Sequence, residues 1–482
     1  MSHARAKRDQ NRPHTKIVAT IGPASEDLIG ELLDAGMNVA RLNFSHGGAE
    51  DHRRRVRKLR EEAQKRMRSV CILGDLPGPK MRIGTLADGE RELEEGEVVH
   101  LSTSDAPAGP GEVHFSFTGY EDVVEVGHRI LLADGLVHLV VENVDDGVLT
   151  ARVEQGGPIS DRKGVHMPDS PIRYELPTEA DREWIELAKE IGIDMLGVSF
   201  VGNAEELARI RELAPELSLV AKIERRIAIV NLPEILDACD GIMVARGDLG
   251  VELDLEQVPM EQKAMIALAL RAGKFAITAT EMLESMIHSA RPTRAEVGDV
   301  ANAVLDGTDA IMLSAETAVG EYPVEAVTTM RRIAYATEQS QRYHDLPRVA
   351  FRSEERDFAN AIALAATEVA EALNLRLIVC FTEGGRTVRL ISRYRPFAQI
   401  IALSPHERTV QTLGVVAHVR PILFRREPSL EDMLYVASEM LVVRGLAEYG
   451  EEIVFVAGVP PGVSRSTNVM KLHRIGEEIK LH

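Results

Sequence analysis

The chain has 482 residues, room for about three domains at ~150 residues each, and its 56 basic against 75 acidic residues give a formal charge of −19. That balance argues against a general nucleic-acid surface, so any anionic ligand needs a local cluster of cations. No segment approaches the ~18 continuous apolar residues of a membrane span. The three cysteines, Cys71, Cys239 and Cys380, lie far apart in apolar sequence without metal or disulfide spacing, as core thiols of a reducing, cytoplasmic compartment do.

Residues 1–14 are polar and basic, lack the apolar run of a secretory signal and read as a flexible tail. Three apolar runs follow, TKIVATIG from Thr15, NVARLNFS from Asn38 and VCILGDL from Val70. EDLIGELLDAG separates the first two with a helical rhythm and a closing glycine. The basic run DHRRRVRKLR from Asp51 carries Val56, Leu59, Ala63 and Met67 at helical spacing, so its arginines read as a solvated helix face.

Residues 79–175 break the alternation. They contain alternating segments with Asp-Gly turns at Asp134 and Asp146, the pattern of hairpins in a small inserted β-domain. Strands and helices then resume with DMLGVSF from Asp194, SLVAKIE from Ser218, GIMVARGD from Gly241, FAITAT from Phe275 and AIMLSAE from Ala310. Eight such units predict a (β/α)8 barrel of residues 15–78 and 176–347. The insertion, placed in a βα loop, stands over the rim where these barrels keep their active sites, as a lid. Residues 348–482 predict a separate α/β domain.

The strands end in chemistry: Arg41, Asn43 and Ser45; Asp75; Ser199; Lys222 and Glu224; Arg246 and Asp248; Thr278 and Thr280; Ser314 and Glu316. In isolation Arg246-Gly247-Asp248 reads as an adhesion tripeptide or a solvated turn. At a barrel rim, Glu224 and Asp248 instead supply two hard oxygen ligands suited to Mg2+ or Mn2+. An ion pair of Lys222 with Glu224 or Asp248 is the structural alternative. Gly247, without a Cβ, lets a ligand approach the backbone. Arg41, Arg82 and Lys222 add positive charge for phosphate. A divalent metal among cations fits phosphoryl transfer, and no Walker or protein-kinase motif is present. In the C-terminal domain, TEGGRTVR from Thr382 turns from a strand into a helix and could hold a phosphate with its amides and Arg386.

TKIVATIGPAS, NVARLNFSHG, AKIE, DGIMVARGDLG, TATEMLESM, RPTRAEVGDVANAVLDGTDAIMLSAET and SRYRP resemble pyruvate kinases in order along nearly the whole chain. The resemblance implies phosphoryl transfer from phosphoenolpyruvate to ADP, giving pyruvate and ATP. It implies Glu224 and Asp248 on the divalent ion, and the backbone of Gly247 and Asp248 on the substrate carboxylate. Lys222 would then stand against the phosphoryl group and the enolate oxygen, Arg41 on phosphate, and Thr280 near the face where the enolate is protonated. Asn43, His46, Arg82 and Lys163 match positions around the nucleotide and phosphates.

Two departures stand out. DLPGPKMR replaces the commoner DTKGPEIR, placing Lys80 where a glutamate accompanies a K+ ion near the positions of Asn43, Ser45 and Asp75. A lysine there resembles the K+-independent branch. Glu281 stands where glutamine is commoner. Thr382, Arg386 and Thr387 match the family's effector loop, and Glu383 beside them favours a monophosphate over a bisphosphate. The resemblance also implies a homotetramer. The alternatives are another metal-dependent barrel enzyme acting on pyruvate enolates, and a non-catalytic binder of phosphorylated metabolites.

Overall fold

The computed structural model describes residues 12–477 apart from 116, 121, 134, 146, 173, 347–356, 461 and 463–466. Most of the N-terminal tail, the turn residues Asp134 and Asp146, and the boundary near Pro347 therefore lie outside the described residues.

Eight parallel strands close into a barrel: β1 (Lys16–Thr20), β2 (Val39–Asn43) and β3 (Cys71–Asp75) before the insertion, and the rest after it. The insertion holds β4 (Glu90–Leu93), β5 (Val98–Thr103), β6 (Glu112–Phe115), β7 (Arg129–Leu132), β8 (Val137–Asp145), β9 (Val148–Gln155), β10 (Gly157–Ser160) and β11 (Val165–His166). The barrel resumes with β12 (Met195–Val198), β13 (Ser218–Ile223), β14 (Gly241–Ala245), β15 (Phe275–Ala279) and β16 (Ala310–Leu313), and β16 pairs back onto β1. All eight apolar runs read as barrel strands are strands here. β3, β14 and β15 are buried at every residue, as strands covered on both faces must be.

Helices cover the barrel, and their ends follow local chemistry. In Glu179–Ile191, the Thr178 hydroxyl accepts from the Asp181 amide and the Asp181 carboxylate accepts from the Thr178 amide, while Gly192 closes the helix at φ 77°. The insertion forms a six-stranded sheet, β11-β7-β8-β9-β5-β6, and a β10-β4 pair around its own core of Val99, Leu101, Leu139 and Val153. β7-β8 and β8-β9 are antiparallel neighbours, as the hairpin reading expects.

The C-terminal sheet comprises β17 (Leu377–Phe381), β18 (Gln399–Ser404), β19 (Val419–Leu423), β20 (Glu452–Gly458) and β21 (Thr467–Arg474), ordered β19-β18-β17-β20-β21 with only β21 antiparallel. It shares one apolar cluster with the barrel, in which Val18, Val39 and Cys71 meet Val388, Leu390 and Leu413. A buried ion pair at the same junction holds Arg395 3.2 Å from Asp309. All three cysteines are buried and free. Among the described residues no helix is long and apolar enough to cross a membrane.

Candidate active site

Parallel strands bring their C-terminal ends to one rim, and there three strand ends build a charged cluster. Lys222, on β13, places Nζ 2.8 Å from Glu224 Oε1, 3.2 Å from Asp75 Oδ1 and 2.7 Å from Ser199 Oγ. Its three donors thus face three oxygens. The Ser199 hydroxyl donates to the Leu76 carbonyl at 2.7 Å, so it accepts from the lysine. Arg41, on β2, donates from Nε to Asp75 Oδ2 at 2.7 Å and from Nη1 to the Thr20 hydroxyl at 3.0 Å.

Asp75 and Glu224 are each 1 % exposed and Lys222 12 %. Burial works against each charge, but the partners decide the outcome for two of the three groups. Against burial, Asp75 and Glu224 raise the Lys222 ammonium above the ordinary lysine value. Against burial, Lys222 and Arg41 hold Asp75 below the carboxylate range. Glu224 is pushed up, by burial first and then by the charge of Asp248, with Lys222 pulling the other way.

Glu224 Oε2 accepts the Phe200 amide at 2.7 Å, which fixes the plane of the carboxylate. Asp248 stands in the first turn of the helix Arg246–Glu252, 27 % exposed, with Lys80 Nζ 4.0 Å from its Oδ1. Two carboxylates that repel each other here make a place for a cation. Among the described residues no group of three histidine, cysteine or acidic side chains stands ready for a metal. A sparse, all-oxygen donor set of this kind fits Mg2+, which keeps water and substrate oxygens in the rest of its octahedron.

Next along the rim, Thr280 and Glu281 both have positive φ, 69° and 54°. For a β-branched threonine this is a strained conformation costing of the order of 1–3 kcal/mol. Arg246 holds it in place. Its guanidinium donates to the carbonyls of Ala279 at 3.3 Å, Thr280 at 2.5 Å and Glu281 at 3.2 Å, and is itself gripped by both carboxylate oxygens of Asp299 at 2.8 and 2.7 Å. The Thr280 hydroxyl donates to the Ala279 carbonyl at 2.6 Å and accepts from the Gly247 amide at 2.8 Å. A Cβ on Gly247 would meet Thr280 Oγ1 at 3.5 Å, an ordinary contact. Protein packing therefore does not demand a glycine there.

Of the other expected residues, Asn43 lies beside Asp75 in the β2–β3 register. The Asn43 side chain accepts the Ser45 amide at 3.1 Å, capping the turn that carries His46. His52 donates to the His46 carbonyl at 3.1 Å. Arg82 bridges to Gly164 and donates to the Arg162 carbonyl at 2.7 Å, and the Lys163 carbonyl between them accepts the Ile83 amide at 2.9 Å. In the C-terminal domain the Thr382 hydroxyl accepts the Gly385 amide at 2.9 Å, Arg386 pairs with Asp357 at 2.8 Å, and Thr387 bonds to Thr467. Glu383 is held by Arg426 at 2.7 Å and His406 at 2.8 Å, so its negative charge is already answered. Sequence reasoning named Ser199 only as a strand end, and missed the Phe200 amide and the three-carbonyl grip of Arg246. From sequence Arg246 reads as a structural ion-pair partner rather than a catalyst, and Asp299 is that partner.

A closed parallel barrel whose rim gathers paired carboxylates, a buried lysine and an arginine beneath an inserted β-domain defines a metal-dependent barrel enzyme of phosphoryl and enolate chemistry. Residues 12–327 match the family model described as pyruvate kinase, barrel domain, and residues 360–473 match pyruvate kinase, alpha/beta domain. The chain is 43% identical over 472 residues to a pyruvate kinase of Geobacillus stearothermophilus, covering 96% of this chain and 80% of that one. It is 42% identical over 475 residues to a pyruvate kinase of Staphylococcus aureus, covering 96% and 81%. The crystal structure of a pyruvate kinase from Cryptosporidium parvum superposes with a TM-score of 0.90 at 34% identity, covering 97% of each chain. The chain belongs to the pyruvate kinase family.

Proposed function

We propose that the Arg41, Asp75, Lys222 and Glu224 cluster, with Asp248, Gly247 and Thr280, carries the phosphoryl transfer of this pyruvate kinase. The reaction takes the phosphoryl group of phosphoenolpyruvate to ADP, giving ATP and pyruvate. The observation that carries the assignment is Lys222 Nζ, buried 2.8 Å from Glu224 and 3.2 Å from Asp75.

The family generally uses Mg2+. Glu224 and Asp248 would hold it, or Mn2+, and the bound ion would neutralise charge on phosphate and enolate oxygens. Lys222 stabilises the enolate oxygen as the P–O bond breaks, because its charge is fixed and its surroundings are dry. Arg41 steadies the phosphate while Asp75 holds the guanidinium. The substrate carboxylate takes the Gly247 amide, displacing the Thr280 hydroxyl that now accepts from it. The freed hydroxyl stands at the face where carbon is protonated, through water. Asn43, His46, Arg82 and Lys163 receive the nucleotide and its phosphates from the barrel turn and the root of the lid.

This reading takes residues 79–175 as a lid over a barrel of residues 15–78 and 176–347, with residues 348–482 as a regulatory domain. Lys80 near Asp248 supplies the charge that K+ provides elsewhere in the family, so no monovalent ion is required. Thr382, Arg386 and the backbone at Thr387 receive a phosphorylated effector. The protein is a cytoplasmic homotetramer, an assembly supported by the open edge of β21 and by exposed Tyr435 and Val443 on the helix Leu430–Val443.

The central test is pyruvate formation from phosphoenolpyruvate with and without ADP, in Mg2+ and potassium-free buffer. No ADP-dependent pyruvate and ATP would overturn the assignment. Effector screening with and without Arg386→Ala tests the regulatory site, and light scattering tests the tetramer. Family membership sets aside the enolate-lyase and non-catalytic readings, and Lys222, Glu224, Asp248 and Thr280 are all in place.

A further inference from the structure

Phe200 sits at the meeting point of the lid's two hinges and the carboxylate Glu224. Its backbone has φ 58°, a conformation that bulky side chains rarely take. Its amide fixes Glu224 Oε2 at 2.7 Å. On the outgoing hinge, Gly78 has φ 64°, and a Cβ there would come within 2.9 Å of Ser199 Cβ and 3.1 Å of the Phe200 ring. On the return hinge, the Tyr174 ring meets the Phe200 ring at 5.9 Å between centroids.

Arg225, the residue after Glu224, grips that return hinge. Its Nη2 donates to the Ile172 carbonyl at 2.7 Å, and its Cζ lies 4.4 Å over the Tyr174 ring. Ile172 belongs to the apolar core of the lid and Tyr174 packs against it, so the arginine is anchored on the lid itself. Glu252 is close enough to act electrostatically on both Arg225 and Tyr174. A barrel residue adjacent to Glu224 thus holds the lid, while lid and carboxylate share Phe200.

We propose that Arg225 is a positioning residue that ties the lid's angle to the orientation of Glu224, so that closure and metal geometry are set together. The proposal rests on reading Glu224 as a metal carboxylate. With the grip loosened, water reaches the phosphoryl group in place of ADP. The bond between phosphorus and the enol oxygen then breaks as water's oxygen bonds to phosphorus and releases a proton; the products are inorganic phosphate and the enolate of pyruvate, which takes up a proton at carbon to give pyruvate.

The test compares Arg225→Ala, Arg225→Lys and Tyr174→Leu in the full chain. It measures the pyruvate-to-ATP ratio, the half-saturating Mg2+ concentration, KM for both substrates, and hydrogen exchange at the two hinges. Arg225→Ala is expected to raise the ratio above one and the Mg2+ half-saturation about 3- to 10-fold, with KM for phosphoenolpyruvate nearly unchanged and hinge exchange faster. Tyr174→Leu should move the same readouts less, and Arg225→Lys should recover part of the loss. Faster hinge exchange in Arg225→Ala with a ratio of one and an unchanged Mg2+ response overturns the coupling. Glu224→Gln separates the two ideas: an unchanged Mg2+ response there overturns the metal assignment, whereas the ratio in Arg225→Ala tests the lid.

Discussion

Lys222 Nζ stands 2.8 Å from Glu224 Oε1, so the lysine and the carboxylate two residues on form a buried ion pair at the end of β13. The ion pair posed from sequence as the structural alternative for Lys222 is formed, and it is compatible with the catalytic role proposed for the same ammonium. The pairing with Glu224 and Asp75 keeps the ammonium charged well above neutral pH, which makes it a fixed electrostatic element rather than a proton shuttle. We predict that Lys222→Met lowers kcat by several orders of magnitude with little change in KM for phosphoenolpyruvate, since its charge acts chiefly in the transition state. Steady-state kinetics decide this, and near-normal turnover would remove Lys222 from the mechanism.

Arg246 supports Thr280 through the backbone rather than by touching its hydroxyl. Three carbonyls in succession accept from one guanidinium, and Asp299 holds that guanidinium at two points. Without it, the strained φ values of Thr280 and Glu281 would relax. We predict that Arg246→Met lowers kcat on the order of 100-fold, the usual effect of displacing a catalytic group by about 1 Å. Proton exchange at the methyl carbon of pyruvate should fall by a similar factor, and Arg246→Lys should restore little, because an ammonium cannot span the three carbonyls. Unaltered exchange in Arg246→Met would show that Thr280 is held by something else.

The fold was legible because the barrel strands are short apolar runs, nearly all ending in polar or charged residues, and the insertion switches to hairpin alternation. Lys222 and Glu224 were legible for the same reason, as residues two apart on a strand share a face. Asp75 was read as a strand end at the rim and as a family match near K+, not as a partner of Lys222 and Arg41. Its contacts with Lys222 and Arg41 depend on how β2, β3, β12 and β13 neighbour one another around the closed barrel, which no local pattern encodes. The Thr280, Glu281 and Phe200 conformations were hidden too. Propensity argues against positive φ in a threonine or a phenylalanine, and tertiary hydrogen bonds override it here.

Lys80 places an ammonium 4.0 Å from Asp248 in a stretch where a glutamate is commoner in the family. On the proposed reading this ammonium stands in for an added monovalent ion. We predict full activity in Mg2+ with tetramethylammonium as the only monovalent cation, and K+-stimulated activity in Lys80→Glu. Strict dependence of the unmodified protein on K+ would refute the role given to Lys80.

The turn that carries Asn43 and His46 rests on an aromatic stack whose centre titrates. Phe44 stacks on Trp184, the only tryptophan of the chain, at 4.8 Å, and His52 meets both rings edge-on at 5.0 and 5.3 Å. His52 donates from Nε2 to the His46 carbonyl, while Nδ1 is buried with no hydrogen-bond partner. Burial first, and Arg55 next, push the imidazole down to about 4, since a second N–H would have nowhere to go. The folded value lies below the unfolded one, near 6.5, so the unfolded chain binds the proton more readily between these values. The stabilisation is complete above about pH 6.5 and is lost as pH falls toward about 4, a change of roughly 1–3 kcal/mol from this residue. Denaturant titrations followed by Trp184 fluorescence from pH 7 to pH 4 should show that slope. His52→Gln, which retains a donor for the His46 carbonyl but cannot ionise, should flatten it. An equal slope in His52→Gln would assign the acid sensitivity to other groups.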